Sequence, residues 1–343
     1  MSILAGCGVT LPGGTTVGPP GDSFKTAAFL PLKADGTQTL SGSIAGDRVD
    51  VYDLGPVVPG DRLVISVEPA AGSLLDPTLA VFDGNEELFA FNDDRDLAAQ
   101  QFGSAIDDVI VTASDHCFIA IGKFSFDPNG GAYDASVRIE HTGQVPTPAV
   151  QVLLLDFDGG AFTIENEGSF NLSAFDASDI DAAYAGKTAQ IKARIAEVVR
   201  ARFRDTGLQI VTTDENPSLT PGTFSTIHFG SFSATKFGVA DGVDQGNRDL
   251  CDDGIVFIER FDDPFASQPT DEGIAVAIGN VAAHEAGHLL GLNHVADITA
   301  LMDNTGTAST LLADQVFKTA PLSPSIFPFG KQNAPAILQR VVP

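Results

Sequence analysis

Cysteine is scarce in this 343-residue chain, lysine and arginine are few beside the acidic residues, and no long apolar run crosses it. Three cysteines, Cys7, Cys117 and Cys251, are too few for a disulfide framework, and their spacing fits no cysteine-based zinc site. Cys117 and Cys251 keep two readings, a bridge across the chain or two separate thiols, the second being the commoner outcome for cysteines so far apart. The 19 lysines and arginines stand against 45 aspartates and glutamates, a formal net charge of −26. That field repels nucleic-acid phosphates and anionic lipid headgroups alike, so nucleic acid is not an expected partner. Each apolar stretch meets an Asp, Gly or Pro before the roughly 18 residues that a membrane-spanning helix requires.

What is present is 43% hydrophobic, enough for packed cores, in a chain longer than the usual single domain. From about Thr26 to His141, short apolar runs such as VDVYDLG, DRLVISVEP, DVIVTAS and CFIAIGKF alternate with turn signals, the pattern of an all-β sandwich. TGQVPTPA, residues 142–149, has no periodicity and reads as a linker. Beyond it, VQVLLLDFDG reads as a buried strand. Ser178 followed by Asp181 resembles a capping box, and the helix it opens is expected to run to about Phe203 with Ile180, Tyr184, Ile191, Ile195, Val198, Val199 and Phe203 on its apolar face. LQIVTTD, FSTIHFG and GIVFIERF supply strands for that helix to pack on, and a second long helix is expected from about Glu272 to Leu290. Strand, helix, several strands and helix in that order describe one α/β domain over 150–343.

Most of the acid is aspartate. Asn92, Asp93 and Asp94 in the first region, and Asp241, Asp244, Asp249, Asp252 and Asp253 in the second, are oxygen clusters of the type that holds calcium. Neither meets EF-hand spacing, and a solvated loop is the simpler reading of both. His116, His141 and His228 have no partner at ligand spacing and are expected to be ordinary turn or sheet histidines.

Residues 284–294 read HEAGHLLGLNH. On a helix His284 and His288 stand one turn apart on the same face, so both imidazoles can bind one metal ion with Glu285 beside it. Gly291 can take the left-handed conformation that ends a helix and turns the chain, which brings His294 back as a third ligand. Three neutral imidazoles leave one tetrahedral position open, as in catalytic rather than structural zinc sites. Glu285 is then placed to accept a proton from the activated water and pass it to the leaving amine. At this chain's own His, Glu and Gly frequencies, the five fixed positions arise by chance with a probability on the order of 10⁻⁵.

This segment resembles the signature of the metzincin metallopeptidases, and the resemblance continues to Met302, eight residues after His294 in ITALMDN. It implies zinc ligands His284, His288 and His294, Glu285 as catalytic base, and Met302 as the apolar base beneath the ion. Some metzincins carry a zinc-binding tyrosine two residues after that methionine. Asn304 stands there, so the chain looks more similar to the matrixin side of the clan than to the astacin or serralysin side. The order VYDLG, PGDRLVISV, DPTLAVFD, FNDD and GGAYDASVRI resembles the bacterial pre-peptidase C-terminal (PPC) domain, a jelly-roll-like accessory of secreted proteases, some of which bind calcium or substrate polymers. Leu4-Ala5-Gly6-Cys7 resembles a lipobox, in which the cysteine is lipidated, and the Gly/Pro/Thr-rich stretch after it reads as a tether. Cys7-Gly8-Val9 is also similar to the cysteine switch of matrixin propeptides, without its flanking Arg and Asp.

These readings give an α+β multidomain chain, with a truncated lipoprotein-type signal and tether (1–25), a PPC-like all-β jelly-roll-like sandwich (26–141), a linker (142–149) and a metzincin-type α/β catalytic domain (150–343). The expected function is a zinc-dependent endopeptidase acting on extracellular proteins, secreted or attached to a membrane through a lipidated Cys7, and monomeric. It would hold one catalytic Zn2+, with Ca2+ as a second candidate ion. One alternative is a non-catalytic surface binding protein with the zinc domain as scaffold, against which the retention of Glu285 speaks. Another is hydrolysis of a non-peptide amide, to which the motif is indifferent.

Overall fold

A computed structural model describes residues 18–95, 99–165 and 167–343, and the chain divides into two units. The first comprises residues up to Thr147 together with Phe327–Lys331, and the second comprises Pro148–Ile326 with Gln332–Pro343. The linker-based division counts Phe327–Lys331 with residues 150–343. It joins the first unit because the rings of Phe327 and Phe329 pack on Phe82, and Phe329 also packs on Phe24. Cys7 lies outside the described residues.

The first unit is built from β1 (Ala28–Phe29), β2 (Thr37–Ile44), β3 (Asp50–Asp53), β4 (Asp61–Pro69), β5 (Pro77–Asp83), β6 (Leu88–Asn92), β7 (Ser104–Val109), β8 (Cys117–Lys123) and β9 (Gly131–His141). They form two sheets, ordered β1-β3-β8-β5-β6 and β2-β9-β4-β7. Along β4 and β9 buried residues alternate with more exposed ones, so Leu63, Ile65, Val67, Tyr133, Val137 and Ile139 face inward. They share one core with Leu79, Val81, Ile119 and Ile121 of the facing sheet. β5 and β8 are buried almost without alternation, because Phe24, Phe327 and Phe329 cover their outer face at Phe82 and Phe118.

The second unit contains β10 (Val152–Asp156), β11 (Gly160–Ile164), β12 (Gly168–Leu172), α1 (Thr188–Arg202), β13 (Gln209–Thr212), β14 (Ser225–Phe229), β15 (Gly238–Ala240), β16 (Asp253–Val256), α2 (Asp271–Leu289) and α3 (Ala334–Val341). Its main sheet runs β13-β10-β14-β16-β15, with the first four strands parallel and β15 an antiparallel edge. Leu153, Leu155, Ile227, Phe229 and Val256 form a core with α1 and α2 on one face. The β11–β12 hairpin packs against the other through Ile164, Ile255 and Phe257. Among the described residues no helix is long and apolar enough to cross a membrane.

The helix expected from Ser178 to Phe203 is divided. Asp176 caps a 3-10 turn at Ala177–Asp179, Asp181 caps another at Ala182–Tyr184, and Gly186 at φ 77° separates these from α1. Ile180 and Tyr184 are nevertheless buried in the helix core, which is why the apolar period runs through them. α2 begins where Thr270 caps Gly273 N–H and carries Asp271 and Glu272 at the positive end of its dipole. α1 and α2 meet closely at Gly279, where a β-carbon would lie 2.7 Å from Val198.

Candidate metal centre

α2 is buried nearly all round, and its small residues let it sit between α1 and the sheet. His284 and His288 project from its last turns. The helix then ends in a Schellman arrangement, with Leu292 N–H donating to the Gly287 carbonyl at 2.9 Å and Gly291 N–H to the His288 carbonyl at 2.9 Å. Gly291 sits at φ 86°, and a β-carbon there would be 2.9 Å from the Asp244 carbonyl oxygen. Both facts require glycine at the bend that returns His294.

The three Nε2 atoms of His284, His288 and His294 form a triangle with 3.1 Å sides. His284 Nδ1 faces the Leu301 carbonyl at 2.8 Å, and His288 Nδ1 faces the Leu292 carbonyl at 2.7 Å. A carbonyl only accepts, so in these two rings Nδ1 carries the proton and Nε2 a bare lone pair. Two such lone pairs at 3.1 Å repel, and a cation between them removes the conflict. Zinc–nitrogen bonds of about 2.0–2.1 Å in a tetrahedron put ligand atoms roughly 3.3 Å apart, so the observed triangle fits the ion. Burial lowers the pKa of all three histidines, that of His294 to about 3, and keeps the rings neutral and ready to bind. Among the described residues this is the one group of three or more His, Cys, Asp or Glu able to converge on a metal.

Glu285 is 6% exposed, and burial pushes its carboxyl up to about 8, offset in part by Lys236. Lys236 is paired with Glu167 of the hairpin turn. A glycine makes room for the carboxylate: a β-carbon at Gly238 of β15 would lie 2.5 Å from Glu285 Oε1. Met302 is 1% exposed and packs under Gly287, and its carbonyl accepts Val295 N–H at 2.9 Å. His284, Glu285 and His294 line one cleft of about 380 Å3, which Gly238, Asn304 and Asn280 also border. Asn304 donates from Nδ2 to Ser325 Oγ at 3.3 Å.

Most of the calcium candidates make local hydrogen bonds, while Asp94 Oδ1 is buried without a hydrogen-bond partner. Asn92 accepts Ala105 N–H and donates to the Asp94 carbonyl, while Asp93 accepts Asp94 N–H. Asp241 accepts the N–H groups of Glu165 and Asp253, Asp244 that of Asp249, and Asp249 that of Cys251. Asp252 accepts the Ser225 hydroxyl. Asp241, Asp244 and Asp249 brace turns through these bonds, and no group of three or more of the candidates converges as metal ligands would. The buried amide of Asn247 in the same loop has no hydrogen-bond partner. Cys117 and Cys251 do not pair: Cys117 is a buried free thiol of β8, and the exposed Cys251 donates from Sγ to Asp249. His116 and His141 contact Asp53 and Asp61 through Nδ1. His228 contacts Asp156 at 2.9 Å and stacks on Phe162. Asn280, Gly238 and Lys236 at the cleft, and Gly287 against Met302, were not anticipated from the sequence. The legible signal was Asn280, a lone amide in the apolar run IAVAIGNVAA one turn before His284.

The matrixin family model matches residues 217–313, the segment that carries the triad, and this match supports a zinc metallopeptidase. No curated protein matches the chain. Among solved structures, the chain is similar to archaemetzincin from Methanopyrus kandleri at 14% identity, covering 50% of this chain and 92% of that one with a TM-score of 0.28. A zinc-dependent peptidase from Methanocorpusculum labreanum is similar at 12% identity, 48% and 93% coverage and a TM-score of 0.30. The pre-peptidase C-terminal domain of collagenase from Bacillus anthracis is similar at 20% identity, 32% and 92% coverage and a TM-score of 0.25. Values this low bear on neither activity nor substrate.

Proposed function

We propose that this chain is a zinc-dependent endopeptidase of metzincin type, with His284, His288 and His294 as the metal ligands and Glu285 as the general base. The observation that carries the reading is the triangle of Nε2 atoms at 3.1 Å, two of them bare lone pairs, beside the cleft that His284, His294 and Glu285 line. A bound zinc ion would acidify a water and polarise the scissile carbonyl.

The remaining work falls to the chain. Leu301 and Leu292 fix the tautomers of His284 and His288 through their carbonyls. Glu285 fits at the cleft because Gly238 leaves room for its carboxylate, which takes the proton of the attacking water and returns it to the leaving amine. Lys236 favours the ionised form that accepts this proton. β15 is an edge strand, and Gly238 borders the cleft, so free backbone groups are available to an extended peptide. The sequence Leu4 to Cys7 and the tether behind it support a place outside the cytoplasm, with attachment through Cys7 and extracellular proteins as substrates.

The test is cleavage of casein or gelatin by the purified full chain. Activity should be abolished by 1,10-phenanthroline, restored by added zinc and untouched by serine- or cysteine-directed reagents. Insensitivity to chelation, with cleavage persisting in zinc-free protein, would refute the reading.

A further inference from the structure

We propose that Asn280, Arg202 and Asp314 form a partition that sets which substrate side chains the cleft accepts, with Arg202 a masked anion-binding group behind it; this rests on the peptidase reading above. Asn280 stands one helical turn before His284, on the same side of α2. It borders the cleft yet is 1% exposed, so it belongs to the floor and not the rim. Its Nδ2 donates to the carbonyls of Leu311 and Ala313 at 2.8 and 2.9 Å, and its Oδ1 accepts from Arg202 Nε at 3.0 Å. Arg202, the last residue of α1, pairs through Nη1 with Asp314. Arg202 and Asp314 line a second cavity of about 340 Å3 that Asn280 does not border. A layer one side chain thick therefore stands between the cleft and a buried cation.

The same contacts hold the cleft wall. The carbonyls that Asn280 binds belong to the segment after Met302, which Gln315 also ties back to Ile298 and Ala300. Leu301, next in the chain, borders the cleft and orients His284. On the cleft side the donors of Asn280 are spent on backbone, and the charge of Arg202 is already matched by Asp314. A charged substrate side chain reaching this floor loses water and gains no partner, so this part of the cleft selects uncharged side chains. Removing the amide reverses the selection: Arg202 Nε loses its acceptor, the floor opens toward the second cavity, and a carboxylate can engage the guanidinium fork.

The test uses the zinc-loaded full chain and matched peptides with Leu or Glu at each position flanking the scissile bond. The native protein should disfavour Glu at one position, and Asn280→Ala should raise the Glu-to-Leu ratio of kcat/KM there at least tenfold with zinc content unchanged. Adding Arg202→Met should cancel the gain. A general loss of stability would scale all peptides together and leave the ratio unmoved, which overturns the proposal. Should Asn280→Ala not fold, Asn280→Ser keeps a donor for the Leu311 and Ala313 carbonyls while shortening the layer over Arg202; it should raise the ratio in the same direction, and no change overturns the proposal. Independent of turnover, glutarate should raise the melting temperature of Asn280→Ala and not that of the native protein or the Asn280→Ala/Arg202→Met form. Equal response of all three overturns the partition, whereas a native chain that binds zinc and cleaves no peptide contradicts the peptidase reading alone.

Discussion

The sulfur of Met302 lies 2.6 Å from where a β-carbon on Gly287 would stand. Gly287 precedes His288 on α2, so the two residues fix how closely the ligand helix settles on the segment after His294. In a helix interior Gly→Ala ordinarily stabilises by up to about 1 kcal/mol. Here the sign should invert: Gly287→Ala is expected to cost about 1–3 kcal/mol through overpacking and to weaken zinc binding. Met302→Leu keeps the volume and should cost under about 1.5 kcal/mol. Denaturant melts of both variants with zinc titration check this, and a stabilised Gly287→Ala would show that the contact yields freely.

Gly291→Ala joins two penalties, a left-handed φ of 86° and a β-carbon against the Asp244 carbonyl. The backbone part alone is roughly 1–2 kcal/mol. The chain can escape only by opening the bend that returns His294, so zinc affinity should fall more than stability does. Competition with a chelator of known affinity measures it, and native affinity in Gly291→Ala would separate the bend from the site.

A pH effect should come from Asp252, 8% exposed and pushed up to about 7, first by burial and then by Asp244 and Asp249, against the lowering bond from Ser225. Its folded pKa lies above its unfolded value, so the folded chain holds the extra proton. Its contribution is therefore full near pH 4 and lost as pH rises to about 7, on the order of 2–4 kcal/mol. Asp252→Asn should remove that loss and be the more stable form at pH 8. Urea melts of the metal-free pair at pH 4.5 and 8 test this. Comparing the pair at each pH cancels the buried histidines, whose lowered pKa values act in the opposite direction. An identical gap between the two proteins at both pH values would contradict it.

The grouping of His284, His288, Gly291 and His294 was legible because it depends on local geometry, one helical turn and one left-handed bend. The helix start at Ser178 was misread because residues buried by 3-10 turns mimic a helical period, while Asp176 and Asp181 cap separate turns. The roles of Gly238 and Gly287 were invisible for a different reason. Gly238 is set by Glu285 and Gly287 by Met302, contacts between segments far apart in sequence. The aromatic segment Phe327–Lys331 joins the first unit through rings hundreds of residues upstream, which no local pattern encodes. The aspartate clusters cannot be sorted by local pattern, because a carboxylate that braces a turn and one that binds calcium share the same Gly- and Asn-rich surroundings.

The central claim is that binding and catalysis separate at Glu285, whose carboxylate borders the cleft and lies outside the nitrogen triangle. The direct measurement is zinc content and peptide hydrolysis of Glu285→Ala beside the native chain. About one zinc per chain should remain, while kcat falls by roughly 10² to 10⁴, the worth of a positioned general base. If Glu285→Ala cleaved peptides at the native rate with zinc in place, Glu285 would not be the base and the account would fail.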